Sequence, residues 1–116
     1  MKERVEKLNN LISHGHILEA FEKFYAEDMT KQVDQKPLLV GKAACRSSEE
    51  CFVTSITTFR SAYIKNTIIS GNVSITEWEF DLTHEKWGDK KFSQIAIQRW
   101  NPDGEIINET IYINNL

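Results

Sequence analysis

The chain has 116 residues, a formal net charge of -3, 41% hydrophobic residues and 27% charged ones. That describes one domain, 1–116, of ordinary globular composition, burying roughly 65% of its unfolded surface, enough for a core and a small cavity. A mildly acidic chain without a basic stripe argues against nucleic acid as a partner, and no apolar run approaches the roughly 18 residues that mark a membrane span.

The N-terminal stretch MKERVEKLNN lacks the apolar core of a signal peptide, so the cytoplasm is the expected compartment. Val5, Leu8, Leu11 and Ile12 recur at helical spacing and predict a helix over Lys2 to His14, stopped by Gly15 as a left-handed cap. Ile17, Leu18, Phe21, Phe24 and Tyr25 share a broad face of a second helix ending near Glu27-Asp28. An extended piece around Thr30 to Val33 and a loop with Pro37 lead to Gly41. A third helix spans about Lys42 to Thr57, with Ala44, Ser48, Cys51, Phe52, Ser55 and Ile56 on one stripe. Its small residues let it lie close against a sheet. Cys45 and Cys51 on that helix stand about 9 Å apart along the axis, beyond the roughly 7 Å limit for a disulfide. Both are expected as free thiols, which suits a reducing compartment.

From Ser61 the period becomes two. Ala62 to Ser70 and Val73 to Thr83 read as strands joined at Gly71-Asn72. In the second, Trp78, Phe80 and Leu82 alternate with Glu77, Glu79 and Asp81, the pattern of a half-buried antiparallel strand. His84 to Lys91 reads as a turn. Phe92–Trp100 and Glu105–Ile113 form a last hairpin around Asn101-Pro102-Asp103-Gly104. Helices first and strands last define an α+β domain.

Glu109 is threaded into an apolar row, sharing a period-two face with Ile107, Ile111 and Ile113. If Asn101 to Gly104 form the loop, Trp100 faces Glu105 and Ala96 pairs with Glu109, bringing Gln94, Ala96 and Gln98 onto the same face. A bulge at Gly104 would shift that pairing by one. A carboxylate stripped of water is suited to act as a general acid or base; one at an open rim is instead solvated or held by Lys or Arg. Gln94 and Gln98 offer uncharged donors and acceptors that orient a ligand carbonyl or hydroxyl, or pair with neighbours. Tyr25 and Trp78 supply apolar wall, the tyrosine with a polar tip.

These elements, in this order, carry a family resemblance. Phe24-Tyr25-Ala26-Glu27-Asp28 closes the second helix, Gly41 precedes the third, and Trp100-Asn101-Pro102-Asp103-Gly104-Glu105-Ile106 lies in the last hairpin. Together they resemble the SnoaL-like branch of the nuclear transport factor 2-like superfamily, over essentially the whole chain. The resemblance implies a cystatin-like cone: three N-terminal helices packed in a strongly curved, mostly antiparallel sheet that encloses a pocket. Members include ketosteroid isomerase, scytalone dehydratase and polyketide cyclases, and also association modules, so fold does not transmit function. Set against the isomerase, its oxyanion-stabilising tyrosine falls on Leu8 and its oxyanion-stabilising aspartic acid on Ala96. Its general base falls near Val33, one residue from Asp34. Steroid isomerisation by that mechanism is not expected.

On this reading the pocket is lined by Tyr25, Phe52, Trp78 and Phe80 together with Gln94, Ala96, Gln98, Glu109 and Ile111. Glu109 is the candidate catalytic residue. No cofactor or metal is expected, because His14 and His16 diverge across a helix break and a catalytic zinc needs about three protein ligands. His14 suits the negative end of a helix dipole, and His84 reads as a solvated turn residue near the rim. On the opposite sheet face Ile95 and Ile97 are joined by Ile106, Thr110 and Tyr112, an apolar surface that predicts a two-fold homodimer packed sheet to sheet. The expected partner is a small apolar or carbonyl-containing molecule bound in the cone. The alternatives are a cofactor-free isomerase, cyclase or dehydratase with Glu109 as proton shuttle, and a non-catalytic dimeric association module.

Overall fold

The computed structural model describes residues 1–114; the expected domain of 1–116 extends two residues beyond them. Helix α1 (Lys2–Ser13) ends in a Schellman motif, with the Gly15 N–H donating to the Ile12 carbonyl at 3.0 Å and the His16 N–H to that of Leu11 at 2.9 Å. Gly15 sits at φ 84°, as that motif requires. Helix α2 (Ile17–Phe24) stops short of the expected Glu27-Asp28, because Tyr25 is already extended at φ -106°, ψ 135°. It opens strand β1 (Tyr25–Val33), which runs parallel to the last strand from the pair Tyr25 and Ile106 onward. Those inter-strand hydrogen bonds outweigh the local helical pattern of Tyr25 to Asp28. No loop separates helix from strand.

Strand β2 (Leu39–Val40) folds back on β1, and Gly41 leads into helix α3 (Lys42–Thr54). The third helix therefore follows two strands rather than joining the other two at the N-terminus. Then come β3 (Ile56–Ser70), β4 (Val73–His84), β5 (Gly88–Trp100) and β6 (Ile106–Asn114). β3 begins six residues before the expected Ala62, and β5 four before Phe92, because the pairs Ile56–His84 and His84–Gly88 extend the ladder to its end. Irregular register between Ile56 and Ser61 hides the alternation there.

The strands form one sheet in the order β2-β1-β6-β5-β4-β3, antiparallel except where β1 meets β6. It is a curved, open mixed sheet whose inner face holds the helices. The last hairpin differs from the expected register. Ala96 pairs with Ile111 and Gln98 with Glu109, while Trp100 pairs with Ile106, leaving Ile107 as an extra residue in β6. The loop is one residue longer than expected and this bulge adds another, so the slip is by two and Glu109 keeps its inward face. Ile107 does not share that face; Ile106 takes its place and is fully buried.

Two clusters fill the inside. Val5, Leu8, Phe21, Phe24, Trp100 and Ile106 seat α1 and α2 on the sheet. Trp78, Phe80, Leu82, Phe92, Ala96 and Ile111 line the sheet beside α3. Outside, Ile68, Ile75, Ile97 and Thr110 form one row across four strands, and Ile95 stands next to Tyr112 in the row below. Ile68 and Tyr112 are each 51% exposed. Ile106, expected on this outer face, belongs instead to the core.

Candidate functional site

Between α3, the α1–α2 junction and the inner sheet face lies a cavity of about 680 Å³. All the residues expected to line a pocket border it: Tyr25, Phe52, Trp78 and Phe80, and from the last hairpin Gln94, Ala96, Gln98, Glu109 and Ile111. Its sheet wall is aromatic, with Trp78 and Phe80 centroids 5.5 Å apart and Phe80 stacked on Phe92 at 5.1 Å. Phe52 closes the α3 side against His84 and Trp87.

The polar end is built from a single row of the sheet. Ser74, Gln98, Glu109 and Lys31 are cross-strand neighbours on β4, β5, β6 and β1, all pointing inward. Hydrogen bonds run along this row in one direction. The Trp100 indole N–H donates to Ser74 Oγ at 2.9 Å, and the Ser74 hydroxyl donates to Gln98 Oε1 at 3.0 Å. With its oxygen so engaged, Gln98 presents Nε2 to Glu109 Oε2 at 2.7 Å. The Tyr25 hydroxyl donates to that same carboxylate oxygen, which it reaches only because Tyr25 begins a strand paired to β6.

The other oxygen of Glu109 lies 3.5 Å from Lys31 Nζ, which is 2.7 Å from Glu49 Oε2 on α3. Burial opposes the charge on Lys31, but Glu49 and Glu109 together outweigh it and hold the ammonium above the ordinary lysine range. Burial raises Tyr25 well above the ordinary tyrosine value, and the charge of Glu109 and the hydrogen bond to it add to the rise. The arrangement is an anchored, buried carboxylate facing an apolar chamber, linked through one lysine to a second carboxylate.

Lys31 and Glu49 were absent from the sequence reading, yet each carried a signal. Lys31 alternates with Met29 and Val33 on the inner face of β1, and Glu49 lies one turn from Cys45 on the buried side of α3. His84 is not a solvated turn residue: it ends β4, is 5% exposed and borders the cavity. Its Nδ1 accepts the Lys86 N–H at 3.1 Å while its ring stacks on Trp87 at 3.7 Å. Asp34 lies in the turn after β1 and its carboxylate accepts the Ile113 N–H at 3.1 Å. Leu8 is core, whereas Val33 and Ala96 border the cavity. His14 and His16 are exposed, the former with Nδ1 2.7 Å from the Asn10 carbonyl. Among the described residues no three His, Cys, Asp or Glu side chains converge as a metal set. Both cysteines are free, Cys45 buried and Cys51 exposed.

A family model for the SnoaL-like domain matches residues 1–113, and the chain belongs to that family. A crystal structure assigned as a SnoaL-like polyketide cyclase from Mesorhizobium loti superposes with a TM-score of 0.83 at 18% identity, covering 96% of this chain and 97% of that one. Another so assigned, from Jannaschia sp. CCS1, gives 0.82 at 8% identity over 97% and 86% of the two chains. An LEH-like epoxide hydrolase from M. tuberculosis gives 0.74 at 14% identity over 97% and 80%. At these identities the likeness is one of fold. None of the curated proteins compared matches the chain. No helix among the described residues is long and apolar enough to cross a membrane.

Proposed function

We propose that this chain binds a small, largely apolar molecule in the cavity, with the polar end of the ligand against Glu109. One observation carries the reading. A chamber of about 680 Å³ has aromatic walls and gathers the buried Lys31, Gln98 and Glu109 at one end, so a ligand is desolvated along its body and oriented by its tip. Gln94 supplies a side-chain amide on the same wall. The two free thiols fit a cytoplasmic setting.

A second reading makes the pocket catalytic: a cofactor-free isomerase, cyclase or dehydratase in which Glu109 moves the proton. The donors converging on Glu109 support it, since they hold a carboxylate in one orientation toward the chamber. The polyketide cyclase and epoxide hydrolase assignments of the structural neighbours lend it context. Glu109→Gln is nearly isosteric and separates the two readings. In a catalyst it lowers turnover by at least about 100-fold while binding persists. Turnover that survives the substitution dismisses Glu109 as the proton carrier and leaves the binding reading standing.

A third proposal concerns assembly. The apolar rows of the outer sheet face, Ile68-Ile75-Ile97-Thr110 and Ile95-Tyr112, are bordered by the ion pairs Arg60–Asp81 and Lys65–Glu79. An apolar centre with a charged rim fits a second copy of the same face packed about a two-fold axis. The homodimer and the non-catalytic association module share this surface.

A further inference from the structure

The inner end of the cavity has a marked imbalance between donors and acceptors. The Tyr25 hydroxyl hydrogen is directed at Glu109. One amide hydrogen of Gln98 goes to Glu109, and its nitrogen also stands 3.5 Å from the Tyr25 oxygen. Lys31 carries three ammonium hydrogens, of which Glu49 and Glu109 engage two. The open acceptor lies on Glu49. An ionised carboxylate accepts at roughly four sites; Glu109 already faces Tyr25, Gln98 and Lys31, whereas Glu49 uses only Oε2, and its Oε1 has no hydrogen-bond partner among the described residues. Both carboxylates border the cavity.

Charge is unbalanced in the same sense. Two carboxylates share one ammonium, with side-chain exposures of 16%, 5% and 11% for Glu49, Glu109 and Lys31. A negative charge left over among side chains so little exposed favours a second cation beside them. A ligand carbonyl would bring another acceptor to a position already rich in them.

Building on the pocket reading, we propose that the polar tip of the ligand is a protonated amine, lodged between Glu49 Oε1 and Glu109, with its apolar body along the aromatic wall. An ammonium supplies the missing donors and the missing charge together. Lys36 and Lys86 also border the cavity, but at exposed positions where salt screens them. They disfavour a cation at the mouth and leave the inner end as its place.

Three compounds with one carbon skeleton test this: 4-phenyl-2-butylamine, 4-phenyl-2-butanol and 4-phenyl-2-butanone. Calorimetric titration at pH 7, with quenching of Trp78 and Trp87 fluorescence as a second reporter, gives their relative affinities. The amine is expected to bind at least about tenfold tighter than the ketone, with the alcohol between them. Glu49→Gln should reduce that preference to less than about threefold. A ketone that binds as tightly as the amine overturns the inference and leaves the pocket reading intact. A full amine preference in folded Glu49→Gln overturns the proposed seat of the cation. Absence of binding by all three at millimolar concentration removes the pocket reading with it. The wild-type series decides the charge preference even where the variant fails to fold.

Discussion

Lys31 holds the site together electrostatically, and its removal has a definite signature. Lys31→Met leaves Glu49 and Glu109 facing each other without a cation. Breaking a buried pair in this way costs about 3–5 kcal/mol, so urea denaturation at pH 7 should register a loss of that order. A variant as stable as wild type at pH 7 would show that the lysine is not structurally required. Wild type should weaken at the alkaline end. Both Lys31 and Tyr25 have their protonated forms favoured by folding. The stability this contributes is complete below the unfolded values, about 10.4 for lysine and about 10 for tyrosine, and is lost as pH rises beyond them. At this scale the sequence was partly legible. Glu109 announced itself as an acid in an apolar row, whereas Lys31 sat in a stretch too short for its alternation to count. The partnership of Lys31 with Glu49 depends on α3 crossing β1, which no local pattern encodes.

Elements were legible in kind and order more than in their limits. Each expected helix and long strand exists, because its apolar spacing matches the face it buries. The ends moved wherever distant pairing decided them. Tyr25 to Asp28 look helical alone, yet a parallel partner from the far end of the chain converts them to strand. The hairpin slip arose from the combination of a longer loop and the Ile107 bulge, and composition marks neither. Local chemistry did mark the end of α1. Gly15 has a left-handed φ, and an added Cβ would lie 3.3 Å from the Phe59 ring. Gly15→Ala should therefore destabilise the fold by about 1–2 kcal/mol from backbone strain alone. Unchanged unfolding midpoints in urea would contradict that assignment of the cap.

For the molecule as a whole, the curved sheet divides labour between its faces. The inner face encloses the chamber and the outer face presents the apolar rows. Tyr112→Glu places a charge in the middle of the outer surface without touching the cavity. If two copies pack there, sedimentation equilibrium should give a dimer for wild type and a monomer for the variant at micromolar concentration. A wild-type monomer under those conditions rules the assembly out. Face assignment of this kind was readable early, since Ile95 and Ile97 alternate with the inward Gln94, Ala96 and Gln98. Ile106 misled because the bulge reverses its parity relative to Thr110.

The direct junction of Phe24 to Tyr25 has an evolutionary corollary. With no slack between helix and strand, one inserted residue would rotate the following side chain by about 100° and carry the tyrosine hydroxyl off its carboxylate. The turns holding Lys36 and Trp87 border the same chamber from exposed positions and carry none of the groups that anchor Glu109. Lineages of this chain can therefore lengthen or recolour the doorway freely while the anchor stays locked. Divergence in what the chamber admits should accumulate in those two turns and spare the helix–strand seam.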